Sequence, residues 1–230
     1  RVITMITIEN LSKSYGDKTV LENITLNLKK RKVYGIVGEN GAGKTTLFNC
    51  ISGLEKHNGT INCEYGIPKT SLGYLQTDPY FFSKITGLEY LKLLSNARNL
   101  KPIDFTEKNI FDLPLNEYAI KYSTGMKKKL ALTALLFQEN KFFILDEPFN
   151  GVDIHSNMII TEIILQLKQL EKTILISSHI FSTLNETCDE IFLLKNKTIS
   201  MQVKKEDFDI LENELKEFSI GNRISKLNLK

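Results

Sequence analysis

The fold of this chain is indicated most clearly by residues 33–45, which read Val33-Tyr34-Gly35-Ile36-Val37-Gly38-Glu39-Asn40-Gly41-Ala42-Gly43-Lys44-Thr45. Its second part satisfies the phosphate-loop pattern GxxxxGK[ST]. A short apolar run precedes the loop, and a helical pattern over residues 43–52 follows it. A strand, a glycine-rich loop and a helix in this order are the opening of a parallel α/β unit.

This loop has the composition of a phosphate-binding site. Glycines let successive backbone N–H groups point at phosphate oxygens, and the following helix adds the positive end of its dipole. Lys44 is expected to reach the β and γ phosphates of a nucleotide, and Thr45 to offer its hydroxyl to Mg²⁺. The candidate nucleotide-binding residues are Gly38, Asn40, Gly41, Ala42, Gly43, Lys44, Thr45 and Thr46. The alternative, a glycine-rich turn that binds nothing, does not explain the flanking strand and helix.

A second buried strand ends in two acidic residues. The run Phe142-Phe143-Ile144-Leu145 is followed by Asp146, Glu147 and Pro148. Asp146 is expected to hold Mg²⁺, and Glu147 to polarise the water that attacks the terminal phosphate. The alternative is a strand that simply enters solvent with two acids.

Composition limits the class of protein. The chain has 230 residues, 42% of them hydrophobic and 25% charged, which is typical of a globular protein. A net charge of +3 is too small to hold nucleic acid by bulk electrostatics, so none is expected as a partner. The three cysteines lie far apart, without the spacing of a zinc site or a disulfide framework. No apolar run is long enough to span a membrane, so a cytoplasmic location is expected.

The remaining patterns predict how the chain is organised. Alternating residues over 6–11 and 19–28 predict an N-terminal antiparallel β layer. Helical patterns over 88–112, with Pro102 and Pro114 as breaks, and over 122–138 predict an inserted α-helical lobe. Strands at 142–145 and 173–176 flank a helix at 154–170, and a hairpin at 190–194 and 198–203 precedes an acidic helix over 206–218.

The predicted fold class is therefore α/β, with a phosphate-loop NTPase core and a mixed, mainly parallel sheet. A single domain is expected over residues 5–218, with a nucleotide-binding core at 5–76 and 141–203 and the helical lobe at 77–140. Residues 1–4 precede Met5, which reads as a natural start, so they are expected to be a non-native remnant. A flexible tail is expected over 219–230.

From Met5 to Val203, the ordered motifs resemble the ATP-binding cassette (ABC) family, the nucleotide-binding subunits of membrane transporters. The resemblance implies that Tyr15 stacks on adenine and that Gln76 contacts Mg²⁺ and senses the γ-phosphate. It also implies that His179, in Ile176-Ser177-Ser178-His179, hydrogen-bonds the γ-phosphate. A turn tyrosine packed on the β layer is the alternative for Tyr15.

The resemblance further implies that two chains form a head-to-tail dimer around ATP. Tyr122-Ser123-Thr124-Gly125-Met126 takes the place of the family signature Leu-Ser-Gly-Gly-Gln, so Ser123 and Gly125 are expected to contact the nucleotide held by a second chain. Asp153 is expected in a loop that crosses the dimer interface, and it can also cap the helix that follows. Met126 followed by a basic residue resembles the export-type branch of the family.

Two segments have open interpretations. One of the lysines Lys127-Lys128-Lys129 contributes to ATP binding across the dimer, or the three form a solvated basic face. Tyr80-Phe81-Phe82 forms a groove for a membrane partner, or it belongs to the core. The acidic C-terminal helix is expected to pack on the β layer or to bind a regulator.

The resemblance implies a Mg²⁺-dependent ATPase subunit that powers a separate permease, with export as the expected direction. It is expected to lie at the inner face of the membrane and to form a homodimer, or a heterodimer with another ABC subunit. Two alternatives stay open. One is a soluble ABC-type ATPase acting on the ribosome or nucleic acid, for which the basic turn over residues 29–32 is the support. The other is a non-hydrolytic module that dimerises on ATP, for which Thr124 and Met126 are the support.

Overall fold

A computed structural model describes residues 4–64 and 71–219 of the chain, without the side chains of 216–219. The strands are β1 (Thr4–Tyr15), β2 (Lys18–Lys29), β3 (Val33–Val37), β4 (Asn58–Cys63), β5 (Leu72–Leu75), β6 (Phe142–Asp146), β7 (Thr173–Ser177), β8 (Glu190–Lys195) and β9 (Thr198–Lys204). The helices are α1 (Lys44–Ile51), α2 (Gly87–Ala97), α3 (Thr124–Leu136), α4 (Ile154–Gln169), α5 (Phe181–Thr187) and α6 (Phe208–Ser219).

The strands form two sheets. β1, β2 and β4 form an antiparallel sheet in the order β2-β1-β4, which confirms the predicted N-terminal layer and adds a third strand to it. The other sheet has six strands in the order β5-β6-β7-β3-β8-β9. Its first five strands are parallel, and β9 pairs antiparallel with β8. The predicted α/β class with a mixed, mainly parallel sheet is confirmed.

Both faces of the larger sheet are covered, so every residue of its central strands β3, β6 and β7 is buried and most of them are apolar. One face packs against the antiparallel sheet and α1 through side chains such as Leu11, Ile24 and Phe48. The opposite face packs against α3, α4, α5 and α6. The phosphate loop between β3 and α1 therefore lies at the carboxyl ends of the parallel strands, where ligands bind in open α/β sheets.

The helical lobe differs from the sequence prediction. The helix predicted over 88–112 ends at Ala97, and residues 98–118 contain turns but no regular helix. The chain reverses at Asn99, whose φ is 52°, and Pro102 removes a backbone donor shortly afterwards. Asp112 has a φ of 51° and breaks the pattern again before Pro114. The helical pattern over 88–112 was therefore wrong beyond Ala97, whereas the predicted breaks at Pro102 and Pro114 both lie in the irregular segment.

The ends of the chain are partly described. Thr4 is the first residue of β1, and residues 1–3 lie outside the described residues, so a non-native remnant at residues 1–4 stays a prediction. The predicted acidic helix exists as α6, and its side chains Phe208 and Leu211 are buried. Phe208 meets Phe181 edge to face, with 6.4 Å between ring centroids, so α6 packs beside α5 and not on the antiparallel β layer. Of the predicted tail, only Ser219 is described, as the last residue of α6.

Within residues 4–64 and 71–219, every helix is too short or too polar to span a membrane. The proposed boundaries between nucleotide-binding core and helical lobe remain a prediction.

Candidate functional site

The phosphate loop owes its shape to its glycines. Gly41 and Gly43 have φ angles of 82° and 109°, a region that side chains disfavour. A Cβ on Gly38 would lie 2.4 Å from the carbonyl oxygen of Leu194 in β8, so no other residue fits there. A cavity of about 870 Å³ is lined by the loop residues Gly38 to Ala42 and by His179. Asn40 and Gly41 are exposed at this loop, and Thr46 is half-buried on α1.

Lys44 begins α1 and turns back across the loop. Its Nζ donates to the carbonyl oxygens of Gly38 at 2.8 Å and Glu39 at 3.3 Å. The same Nζ lies 3.7 Å from Oε1 of Glu147. The buried ammonium therefore places a positive charge between the loop backbone and the acidic end of β6.

Asp146 is fully buried at the end of β6 and is surrounded by hydroxyl donors. Its Oδ2 accepts from Oγ1 of Thr45 at 2.6 Å and from Oγ1 of Thr77 at 2.7 Å. Its Oδ1 accepts from Oγ of Ser177 at 2.6 Å. These bonds fix the carboxylate beside the phosphate loop, and none of the described residues places a positive group at hydrogen-bond distance from it.

Glu147 is buried and points the other way from Asp146. Its Oε2 lies 2.8 Å from Nδ1 of His179 and accepts from the His179 backbone N–H at 3.3 Å. The His179 side chain is about half exposed, whereas that of Glu147 is almost covered. One carboxylate thus faces the Thr45 hydroxyl, and the other faces His179 and Lys44.

The donor set fits Mg²⁺. A carboxylate and hydroxyls are oxygen ligands, and Mg²⁺ is bound in phosphoryl-transfer sites through one or two protein groups plus substrate phosphates. In the described residues, no group of three or more His, Cys, Asp or Glu side chains is placed to hold a metal by itself. Thr45 and Asp146 would supply the protein ligands, and Gln76 is the further candidate.

Two further predicted residues, Gln76 and Tyr15, are exposed. Gln76 is exposed just after the last residue of β5. Tyr15 ends β1 with 44% of its surface exposed, and Nζ of Lys13 lies 4.6 Å from the centre of its ring. Nζ of Lys13 also lies 2.8 Å from a carboxylate oxygen of Glu55, so the exposed Tyr15 ring lies against a lysine that an ion pair holds in place. This exposure favours a stacking role for Tyr15 over a packed one.

The predicted signature segment forms the start of α3. Ser123 is the N-cap, and its Oγ accepts from the backbone N–H of Met126 at 3.2 Å. Tyr122 is buried, and its hydroxyl donates to the carbonyl oxygen of Pro114 at 2.7 Å. A Cβ on Gly125 would lie 2.4 Å from the carbonyl oxygen of Gly151, so this glycine is required by a close backbone approach. Thr124 is exposed beside it.

Asp153 caps the next helix, α4. Its Oδ1 accepts from the backbone N–H of Ser156 at 2.9 Å, and its Oδ2 accepts from the Ser156 hydroxyl at 2.7 Å. These bonds, with Lys129 Nζ at 3.3 Å, hold the pKa of the Asp153 carboxyl well below its usual range. The capping role is confirmed, and the role at a dimer interface stays a prediction.

The three lysines of α3 do not form the expected solvated face. Lys128 is only 1% exposed, and its Nζ donates to the carbonyl oxygen of Glu147 at 2.7 Å. Lys129 pairs with Asp153, and Lys127 is half-buried. The expectation failed for Lys128 because α3 packs directly on the loop that follows β6, which the local sequence cannot indicate.

The structure also shows the contacts of the basic turn over residues 29–32 and of the aromatic run over residues 80–82. Lys30 pairs with Glu64 at 2.5 Å, Arg31 with Glu171 at 3.1 Å and Lys32 with Glu190 at 2.5 Å. Carboxylates of the same chain therefore neutralise most of this turn.

In the aromatic run, Phe81 belongs to the core and packs against Tyr90, whereas Tyr80 and Phe82 are exposed and meet edge to face.

The structure brings together Lys44, Thr45, Asp146, Glu147 and His179 at one end of the parallel strands. Ser123, Gly125 and Asp153 lie in a second group around residues 150–156. Sequence reasoning missed Thr77 and Ser177, and it named Lys128 without predicting that its side chain is buried. The signals for the first two were their places beside Gln76 and at the end of β7, whereas the lysine run gave no sign that one member is buried.

Comparison with known proteins gives concordant matches. Residues 21–150 match the family model described as ABC transporter. The lantibiotic transport ATP-binding protein SrtF of Streptococcus pyogenes is 33% identical over 210 residues, covering 85% of this chain and 89% of that protein. The bacitracin transport ATP-binding protein BcrA of Enterococcus faecalis is 32% identical, covering 93% and 74%. A solved structure of an ATP-binding subunit of an ABC transporter superposes with a TM-score of 0.82 at 26% identity, covering 91% and 94%.

Proposed function

The chain belongs to the ABC transporter family, and from that premise we propose that it is the Mg²⁺-dependent ATP-hydrolysing subunit that powers a separate membrane permease. The observation that carries the proposal is the convergence of Lys44, Thr45, Asp146, Glu147 and His179 at one end of the sheet. A module that only bound ATP would have no use for a buried carboxylate held by a histidine.

Each residue has a distinct task in this proposal. The loop amides and Lys44 neutralise the phosphates, and Tyr15 stacks on adenine. Thr45, Asp146 and Gln76 would hold Mg²⁺, which would supply positive charge against the charge that develops on the phosphate oxygens. Glu147 accepts a proton from the attacking water, and His179 fixes the Glu147 carboxylate and reaches towards the γ-phosphate.

A second chain completes the site. Ser123 and Gly125 stand at the start of α3, where backbone N–H groups and the helix dipole favour a phosphate. In the described residues, no hydrogen bond or ion pair joins this segment to the chain's own Lys44, and we infer that it serves a nucleotide held by another copy or by a different ABC subunit. Dimer formation on binding ATP would drive a conformational change in the permease. The chain would lie peripherally on the inner face of the membrane.

Export is the direction that we propose, because two relatives are named as a lantibiotic and a bacitracin transport ATP-binding protein. The signature supports the same direction, since Met126 is followed by a basic residue. A role on the ribosome or nucleic acid is disfavoured by the internal ion pairs of the basic turn.

The experiment is gel filtration of Glu147→Gln with and without Mg²⁺ and ATP. Loss of the base should trap an ATP-dependent dimer, and Lys44→Ala in the same background should remain monomeric. ATP turnover by the wild type, with Lys44→Ala as the blank, is measured in parallel. Equal turnover in the two would reject hydrolysis and leave the ATP-gated dimerisation module. A Glu147→Gln chain that binds ATP and remains monomeric would reject the homodimer.

A further inference from the structure

Lys128 is a buried cation that the proposed reaction does not use. It lies on α3, and its side chain is among the largest that are fully buried in the described residues. Its Nζ donates to two backbone carbonyl oxygens, those of Glu147 at 2.7 Å and Asn150 at 3.2 Å. A buried ammonium is costly unless it is paired or hydrogen-bonded, so its position is under strong constraint.

The charges around Lys128 come from the candidate active site. Burial lowers the pKa of its ammonium, and the carboxylates of Asp78, Glu147 and Asp146 oppose that shift. The positive charge therefore compensates the acidic end of β6 from the side of α3. Lys44 compensates the same end from the side of the phosphate loop.

The two carbonyl groups belong to one tight turn that contains the proposed base. The backbone N–H of Asn150 donates to the carbonyl oxygen of Glu147 at 3.1 Å, which closes the turn. Glu147 has a φ of 50°, an uncommon conformation for a residue with a side chain, and such conformations persist only where the surroundings impose them. Ser177 Oγ accepts from the Glu147 N–H at 2.9 Å, and Lys128 holds the opposite end of the residue.

Helix α3 follows the loop beyond this turn at further points. Gly125 approaches the carbonyl oxygen of Gly151, and Lys129 Nζ lies 3.3 Å from Asp153 Oδ2 and 3.1 Å from Ser156 Oγ. The helix that begins with Ser123 is thus fitted along the segment from Glu147 to Ser156. A shift of α3 cannot occur without moving this segment or breaking these contacts.

We propose that Lys128 is a positioning residue that couples the Ser123–Gly125 segment, which faces the second chain's nucleotide, to the Glu147 base of its own site. The coupling rests on the proposed hydrolytic function. Lys128 contacts neither nucleotide and acts through the Glu147 and Asn150 carbonyl groups. Engagement of Ser123 and Gly125 at one site thereby sets the orientation of the base at the other.

The test compares three variants of the full chain. Lys128→Met removes the donor and keeps an unbranched side chain, Lys128→Arg restores a donor, and Leu130→Ala is the control. Leu130 is fully buried on the same helix and belongs to the hydrophobic core, so its truncation lowers stability without removing the bond to Glu147. Amide hydrogen exchange of residues 142–156, kcat, KM and the urea midpoint of unfolding are measured for each.

Lys128→Met should raise exchange at residues 147–153 selectively, and misplacement of the base should lower kcat by about tenfold or more while KM stays within about twofold. Lys128→Arg should recover a substantial part of kcat. Leu130→Ala should lower the urea midpoint and raise exchange across the core, with kcat per folded molecule close to that of the wild type.

The proposal is overturned if exchange at 147–153 in Lys128→Met matches the wild type, or if it rises only together with the rest of the core. Loss of kcat no larger than that of Leu130→Ala would overturn the coupling as well. A wild type that turns over no more ATP than Lys44→Ala would reject the hydrolytic function, and the exchange measurement would still decide whether Lys128 positions the turn.

Discussion

The Thr45 hydroxyl donates to the Asp146 carboxylate at 2.6 Å, which joins the first residues of α1 to the end of β6 across 101 positions of sequence. This bond brings the phosphate loop and the acidic strand end into one centre. The same Asp146 oxygen also accepts a hydrogen bond from the Thr77 hydroxyl at 2.7 Å. Thr77 directly follows Gln76, which is the one residue of this segment that the sequence analysis assigned to the site.

The Thr77 hydroxyl is expected to orient the proposed Mg²⁺ ligand. Thr77→Val removes a hydrogen bond to a charged group, which is worth about 1.5–3 kcal/mol, and should lower kcat/KM by about tenfold. Thr77→Ser keeps the hydroxyl and should behave like the wild type. Steady-state ATPase assays across a Mg²⁺ titration measure both, and equal activity of the valine and serine variants would contradict the role.

Substitution of Asp146 should reduce turnover far more than substitution of Thr77. Asp146→Asn keeps the shape and removes the charge, and we expect turnover to fall by about 100-fold because a metal ligand and the orientation of its neighbours are lost together. Binding of ATP without Mg²⁺ should change by less than about threefold, since the loop and Lys44 remain. Isothermal titration with and without Mg²⁺ separates the two effects, and a similar loss in both titrations would mean that Asp146 supports the loop instead of the metal.

Tyr15 should contribute to binding of the base and not of the phosphates. Base stacking on an aromatic side chain is worth about 1–3 kcal/mol, so Tyr15→Ala should weaken ATP binding by about tenfold or more, whereas Tyr15→Phe should stay close to the wild type. Inorganic triphosphate is the matched ligand, because it lacks adenine. Equal weakening of ATP and triphosphate in Tyr15→Ala would show that the residue supports the loop and does not stack.

Lys127 is the member of the lysine run that stays available for a nucleotide across the dimer. In the Glu147→Gln background, Lys127→Gln should raise the ATP concentration for half-maximal dimer formation by about threefold to tenfold, because a charge near a phosphate is lost. Lys121→Gln, an exposed lysine just before the signature segment, is the control. Light scattering during an ATP titration measures the change, and identical curves for the two variants would remove Lys127 from the site.

The Asp153 cap predicts a pH dependence of stability. Its pKa is lower in the folded chain than in the unfolded one, first through the Ser156 N–H, so its charge stabilises the fold above the unfolded pKa of about 3.9. That contribution is lost as the pH falls below about 4 towards the folded pKa. Asp153→Asn keeps a capping group without the charge. The difference in melting temperature between the two chains should therefore be constant from about pH 7 to 5 and shrink below about pH 4, and a difference unchanged in acid would contradict this account.

The local sequence determined the parts of the site that depend on neighbouring residues. The strand, loop and helix from Val33 to Ile51 follow from an apolar run, glycines that accept positive φ and a lysine at the helix start. The strands that end at Asp146 and Ser177 follow from apolar runs buried on both sides. Short-range preferences fix such segments, so Lys44, Thr45 and Asp146 could be named in advance, whereas His179 was named through the resemblance to the ABC family.

Tertiary structure decided which side chains share a space. Helix α3 is buried on the loop after β6, which turned Lys128 from an expected surface cation into a donor to the Glu147 carbonyl group. Thr77 and Ser177 became Asp146 donors because three separate segments end at the same edge of the sheet. In the lobe, the apolar spacing predicted helix beyond Ala97, but residues 98–118 form turns and irregular structure. The periodicity of a segment indicates which face is buried, but the groups that meet that face come from distant parts of the chain, and packing alone brings them together.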